Sequence, residues 1–208
     1  MNINENQIFI TFIIPTIGRE SLLNSINSLI NLKDNNWNAI IIFDGIKCNI
    51  NIKDSRIKII EIEKSGKEDI KNNAGLVRNI GFNYVENSEW IGFLDDDDYL
   101  SENYICNLKE EIKINNCIEV CIFRMGYENK CIVPSKFDKN IIRNKVGISF
   151  ALKKNITEHN KFINSPFEDY FYLKNLQVKK YKIIISSYVS YFVRTQPYDT
   201  DFFPKILL

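Results

Sequence analysis

Histidine is almost missing from this sequence, with His159 standing alone. The cysteines are odd in number, Cys48, Cys106, Cys117, Cys121 and Cys131, and no two form a CxxC pair. That pattern argues against a disulfide framework and against a structural zinc site, and it points to a reducing, cytoplasmic compartment. Long apolar runs are missing too. The N-terminal stretch MNINENQIFITFIIPTIGRE has no basic leader, and its apolar part, IFITFIIP, is too short to span a bilayer, so neither a signal peptide nor a transmembrane segment is expected. Excess charge of one sign is absent: the formal net charge is +1 and the lysines are scattered, which gives no basic stripe for nucleic acid. No internal repeat, Pro/Gly-rich linker or charge block marks a boundary. What is present, 45% hydrophobic and 25% charged residues over 208 positions, suits one domain spanning 1–208 with a sizeable core.

Ile8 to Pro15 is a β-branched and aromatic run closed by proline, as in a strand covered on both faces. Leu22, Leu23, Ile26, Leu29 and Ile30 then recur at helical spacing. Ala39–Phe43 and Ile57–Ile62 read as further strands. Ala74, Val77, Gly81, Tyr84 and Val85 give a second helical face, and the stretch from Trp90 supplies a fourth strand. Strands alternating with helices imply right-handed crossovers and a largely parallel sheet. Ligands in such sheets bind beyond the carboxyl ends of the strands, where Pro15, Thr16, Arg19, Asp44 and Asp95 to Asp98 gather. The second half is mixed. Ser101 is a plausible helix cap ahead of Tyr104, Leu108 and Ile112; Ile118–Phe123 and Gly147–Leu152 read as strands, Glu168–Val178 as a helix, and Lys182–Val193 as one or two closing strands. The stretch from Gly126 to Asn144 has no clear period.

WIGFLDDDDYL, from Trp90 to Leu100, ends an apolar run in four adjacent carboxylates. Their mutual repulsion is relieved if a divalent cation and a phosphate-bearing ligand sit there, because magnesium and manganese take oxygen ligands. The plain alternative is a solvated acidic turn ahead of a helix whose N-terminus welcomes negative charge.

Taken together and in this order, TFIIPTIGRESLLNSINSLI, IIIFDG, AGLVRNIGFNYVENSEWIGFLDDDDYL and SPFEDYFYLKNL resemble family 2 glycosyltransferases of the GT-A fold, from about Ile8 to Arg194. The resemblance implies an α/β protein with a Rossmann-like, mostly parallel central sheet, helices on both faces, and a mixed second half. Residues 1–100 would bind the nucleotide and residues 101–208 the acceptor. It implies that Pro15, Thr16 and Arg19 lie against the nucleotide, that Asp44 hydrogen-bonds uracil, and that Arg78 and Asn79 lie near the base and phosphates, with Val77 where alanine is usual. Asp95 would approach the ribose and Asp97 would hold Mn2+ or Mg2+, with Asp96 and Asp98 less firmly placed beside them. Glu168 would stand on the acceptor side, and Asp169 would be the base that takes a proton from the acceptor hydroxyl during inverting transfer. The metal stabilises charge developing on the diphosphate.

The resulting expectation is a metal-dependent, inverting hexosyltransferase-like enzyme that uses a UDP-linked sugar and a glycan, lipid or protein hydroxyl in glycan or polysaccharide synthesis. Its acceptor-binding elements would be minimal, or come from a partner or a second copy, as in a homodimer. Two rivals stay open: a non-catalytic sugar-nucleotide-binding scaffold subunit, and a DxD phosphotransferase of the haloacid type, whose nucleophile would follow the first strand rather than the fourth. Read without the family context, Glu168 and Asp169 are an acidic first turn of a helix. His159 reads as a surface residue, Cys117 and Cys121 as buried thiols, Trp90 as core, and Arg194 as a surface charge or a phosphate ligand.

Overall fold

A computed structural model describes residues 8–66 and 73–194; residues 1–7, on which the expectation about a leader rests, lie outside it. The described elements run β1 (Ile8–Thr16), α1 (Leu22–Ile30), β2 (Trp37–Asp44), β3 (Ile57–Ile62), α2 (Ala74–Gly81), β4 (Ser88–Phe93), β5 (Tyr99–Leu100), α3 (Tyr104–Ile114), β6 (Val120–Tyr127), β7 (Ile132–Val133), β8 (Phe150–Lys153), α4 (Ile156–His159), α5 (Glu168–Val178) and β9 (Ile183–Val193). The strands form one sheet in the order β3-β2-β1-β4-β8-β6-β9-β5, with β7 paired to β6. The neighbours β3, β2, β1 and β4 are parallel, as are β6 and β9, while β8 runs antiparallel between β4 and β6. Two antiparallel steps restore direction, so β6 and β9 point their carboxyl ends to the same edge as β1, β2 and β4.

The β1 side chains show why the run is continuously apolar. Successive residues of a strand face opposite sides of the sheet. The Phe12 ring meets Tyr104 of α3 edge-on, 5.4 Å between centroids, on one face. Ile13 meets α2 on the other, so closely that a Cβ on Gly81 would lie 2.6 Å from Ile13 Cγ2. Helices therefore cover both faces. On the α2 side an aromatic cluster of Phe82, Phe93, Phe150, Phe162 and Tyr172 joins β4 and β8 to α5, with the Phe162 and Tyr172 rings stacked 4.2 Å apart.

Trp90 is fully buried and His159 is exposed, as the sequence suggests. Two expectations are corrected. Asn103, not Ser101, precedes α3, and its side chain makes no capping bond; the Ser101 hydroxyl and carbonyl instead accept from the backbone amides of Asn103 and Tyr104, at 3.3 and 2.9 Å, closing a turn just before the helix. Cys117 is exposed, because the chain leaves α3 before it and enters β6 only at Val120, where Cys121 is buried. Lys182–Val193, read as one or two closing strands, holds the single strand β9. In the stretch without clear period, β7 folds back on β6 through the pairs Met125–Val133 and Gly126–Ile132, and Arg124 donates to the carbonyls of Pro134 and Ser135.

Candidate active site

Three loops at the carboxyl edge of the sheet build the acidic side of the site. The peptide after β4 turns sharply, with the Asp98 amide bonded to the Asp95 carbonyl at 3.2 Å, and this fans the four carboxylates in different directions. Asp96 points back toward β1 and is buried, accepting from Thr16 Oγ1 at 2.7 Å and from Arg19 at 2.9 Å. The same guanidinium nitrogen donates to Asp97 Oδ2 at 2.9 Å, so half-exposed Arg19 bridges the two. Thr16 also accepts from the Gly18 amide at 2.9 Å, where φ of +82° requires a backbone that glycine adopts without strain. Pro15 lies inside β1, in register with Ile42 of β2, so its ring helps form the wall rather than a polar contact. Burial and the neighbouring Asp95 and Asp96 push the Asp97 carboxyl up to about 6, against the pull of Arg19. Burial likewise raises Asp96, with Thr16 and Arg19 opposing the shift.

Asp44, at the end of β2, accepts from the Ser65 amide at 2.5 Å and from the Ser65 hydroxyl at 2.9 Å. It therefore already holds the chain segment beyond β3, a duty the sequence did not reveal. The residue is partly exposed, and a carboxylate has lone pairs beyond these two bonds.

Arg78 is the hinge between the two sides. Projecting from α2 and 1% exposed, it donates to Asp95 after β4 and to Glu168 Oε1 at the start of α5, the latter at 2.7 Å. Its Nε has no partner among the described residues. Asn79, one residue on, faces elsewhere: its side chain clamps the backbone of Phe162, donating to the carbonyl at 2.9 Å and accepting from the amide at 2.8 Å. Arg78 is therefore screened from solvent, and Asn79 holds a loop.

Arg78, Asp95, Asp98, Glu168 and Asp169 share one cavity of about 300 Å³, whose remaining walls include Met125, Tyr127, Gly147, Phe167 and Tyr191. Asp169 stands in the first turn of α5, accepting from the Tyr170 amide at 2.6 Å. Burial first, then the Glu168 carboxylate beside it, pushes its carboxyl up to about 7 despite Arg78. Gly147 borders the same cavity, where its missing Cβ makes room for Met125, whose Sδ would lie 2.8 Å from it. A carboxyl that titrates near neutrality, in a cavity, is placed to take a proton from a bound hydroxyl.

Sequence reasoning left Asp98 less certain and did not single out Tyr191. Asp98 is 6% exposed, accepts from the Arg194 amide at 3.0 Å and interacts with the Tyr191 hydroxyl, while that hydroxyl accepts from the Asp95 amide at 3.1 Å. Burial and the charges of Asp95 and Asp97 raise Asp98 well above the usual carboxylate range. Arg194 thus meets the acidic run through its backbone. Tyr191 gave no signal in the sequence: its place follows from strand pairing, since in β9 it lies opposite Leu100 of β5, directly after the acidic turn. His159 ends α4 and takes no part.

The model of glycosyl transferase family 2 matches residues 11–172, more than three quarters of the chain, including the acidic run and the Glu168–Asp169 pair. The chain belongs to glycosyl transferase family 2. No curated protein matches this family 2 chain. Among solved structures it resembles S. aureus TarS 1–349, with a TM-score of 0.67 and 15% identity over 89% of this chain and 60% of that one. TarS 1–349 in complex with UDP gives 0.65 and 16% over 91% and 61%, and the complex with UDP-GlcNAc gives 0.64 and 15% over 90% and 59%. The likeness establishes the GT-A fold of this family 2 chain, which spans about three fifths of those TarS chains.

Proposed function

We propose that this glycosyltransferase transfers a sugar from a UDP-linked donor to an acceptor hydroxyl with inversion, assisted by Mn2+ or Mg2+. One observation carries the reading: buried Arg78 ties Asp95 of the acidic run to Glu168 beside Asp169, so the donor-side acids and the proton acceptor face one cavity. The UDP and UDP-GlcNAc complexes of TarS support a nucleotide sugar as the ligand of this fold.

Asp44 and the loop of Thr16 and Arg19 would seat the uridine diphosphate. Among the described residues no group of three or more histidine, cysteine or acidic side chains is arranged to hold a metal. The donor set nevertheless fits a hard cation that also takes diphosphate oxygens, because Asp95 and Asp97 offer carboxylate oxygens and Arg19 offsets only part of the charge on Asp97. Bound there, Mn2+ or Mg2+ supplies compensation for charge developing on the leaving diphosphate. Arg78, held by Asp95 and Glu168, keeps the floor of the cavity rigid. Asp169 takes the proton of the acceptor hydroxyl as that oxygen attacks the anomeric carbon on the side away from the nucleotide. Transfer from UDP-linked sugars to added hydroxyl acceptors, assayed with the wild type and Asp169→Asn, tests the reading. Turnover by the wild type and its loss in the variant, with UDP binding retained, is expected. UDP binding without turnover toward any acceptor would favour a scaffold role.

A further inference from the structure

The floor of the cavity is acidic, but its rim on the acceptor side is not. Between Lys130 and Lys145 the chain places Lys130, Lys136, Lys139, Arg143 and Lys145 against a single acidic residue, Asp138. Lys145 and Asp138 neutralise each other at 3.0 Å. Arg143 has no such partner: among the described residues no carboxylate lies within ion-pair distance of it. Its guanidinium carbon instead lies 3.8 Å from the centroid of the Phe167 ring, and Phe167 lines the cavity two residues before Asp169. The following residues, Asn144, Val146 and Gly147, also line it, as does Asp169. An exposed arginine stacked on an aromatic face is held in place while its N–H donors stay free for a planar or tetrahedral oxyanion.

Resting on the glycosyl-transfer reading above, we propose that Arg143 selects acceptors that carry an anionic group, a phosphate or a carboxylate, at the end of the molecule remote from the reacting hydroxyl. The polarity of the cavity dictates that arrangement. Asp95, Asp98, Glu168 and Asp169 repel an anion from the floor, so only the neutral hydroxyl end of the acceptor reaches Asp169. The charged end stays at the rim, where Arg143 offers two parallel donors. A neutral acceptor fits the same space but gains nothing at the rim.

Binding of glucose, glucose 6-phosphate and glucuronate, measured calorimetrically with UDP and Mn2+ present, tests this, because the three share a hydroxylated ring and differ in the anionic group. The expected result is at least tenfold tighter binding of one or both anions than of glucose by the wild type. Preference for glucose 6-phosphate identifies phosphate, and preference for glucuronate identifies carboxylate. Arg143→Ala should erase the anion preference with UDP affinity unchanged, and Arg143→Lys should retain part of it. Equal binding of all three probes by the wild type, or an anion preference that survives in Arg143→Ala, overturns the proposal. If Arg143 only braced Phe167, Arg143→Ala would weaken the three probes alike, which also overturns it. Failure of the wild type to bind UDP would sink the transfer reading instead, and the comparison of wild type with Arg143→Ala would still decide the role of the rim.

Discussion

At the scale of single residues, Asp169 keeps a proton where an ordinary aspartate has lost it, and this has opposite consequences for activity and stability. With Asp169 as the proposed base, transfer needs the ionised carboxylate, so kcat/KM for the acceptor should rise with pH through about 7. Stability runs the other way. Between about 4 and about 7 the folded chain holds a proton that the unfolded chain has released, so the contribution of Asp169 to folding is present at low pH and lost as pH rises through its folded value. The loss amounts to at most about 1.4 kcal/mol per pH unit. Asp169→Asn should therefore unfold in urea with a shallower pH dependence and be more stable than the wild type at pH 8. Its transfer should fall roughly 10²- to 10⁴-fold with UDP binding retained. A variant that transfers at the wild-type rate would reduce Asp169 to an acidic helix start. Asp44 needs a paired test because it also holds Ser65. Asp44→Ala should weaken UDP by about 1.5–3 kcal/mol, the worth of a hydrogen bond to a charged group, and narrow any preference for UDP over CDP. Ser65→Ala should leave that preference intact, as titration of both nucleotides would show.

Among the secondary-structure elements, Arg78 does the most to fix how α2, the end of β4 and α5 meet. Removing one member of a buried ion pair leaves the other charged and unpaired, at a cost of about 3–5 kcal/mol. For a chain of this size each kcal/mol is about 2–4 °C in Tm, so Arg78→Met should lower Tm by roughly 6–20 °C and loosen Glu168, whereas Asn79→Ala should cost only about 1–3 kcal/mol through its two lost backbone bonds. Thermal melts of the two variants check the order. The elements themselves were legible to different degrees, for physical reasons. Ile57–Ile62 and Glu168–Val178 were read with the bounds they have in the structure, because an apolar strand run and a helical stripe each signal through near neighbours. The hairpin of β6 and β7 was not, since a two-residue strand carries no period and its loop is anchored by Arg124 reaching distant carbonyls. Nor was the insertion of β8 between β4 and β6, which depends on pairing across more than fifty residues of sequence. In the site, the acidic run, Arg78 and the Glu168–Asp169 pair were visible as residue types. Their joining through Arg78, the occupation of Asp44 by Ser65 and the place of Tyr191 were not, because each is a contact between elements far apart in the chain.

At the scale of the molecule, charge is concentrated although the net is close to zero: the acidic cavity floor at the sheet's carboxyl edge gathers Asp95, Asp98, Glu168 and Asp169 around Arg78. Such a floor resists a diphosphate. Burial first, and then the crowding of Asp95, Asp97 and Asp98, raises the Asp97 and Asp98 carboxyls, and Arg19 with Arg78 offsets only part of the charge. Adding a nucleoside diphosphate without a further cation increases the repulsion, and adding one with Mn2+ or Mg2+ reverses it. UDP should therefore stabilise the protein more in Mn2+ or Mg2+ than in EDTA. At 100 times the dissociation constant a ligand contributes about 2.7 kcal/mol, which corresponds to a rise in Tm of roughly 5–10 °C for a chain of this size. Asp97→Ala should remove the difference between metal and EDTA, because the partly buried carboxylate proposed to hold the cation is gone, while some metal-independent UDP binding through Asp44 persists. CDP serves as the control for the base, and inorganic pyrophosphate for the phosphates alone. A metal-dependent shift in Asp97→Ala as large as that of the wild type would move the cation away from the acidic run, and with it the donor side of the reaction.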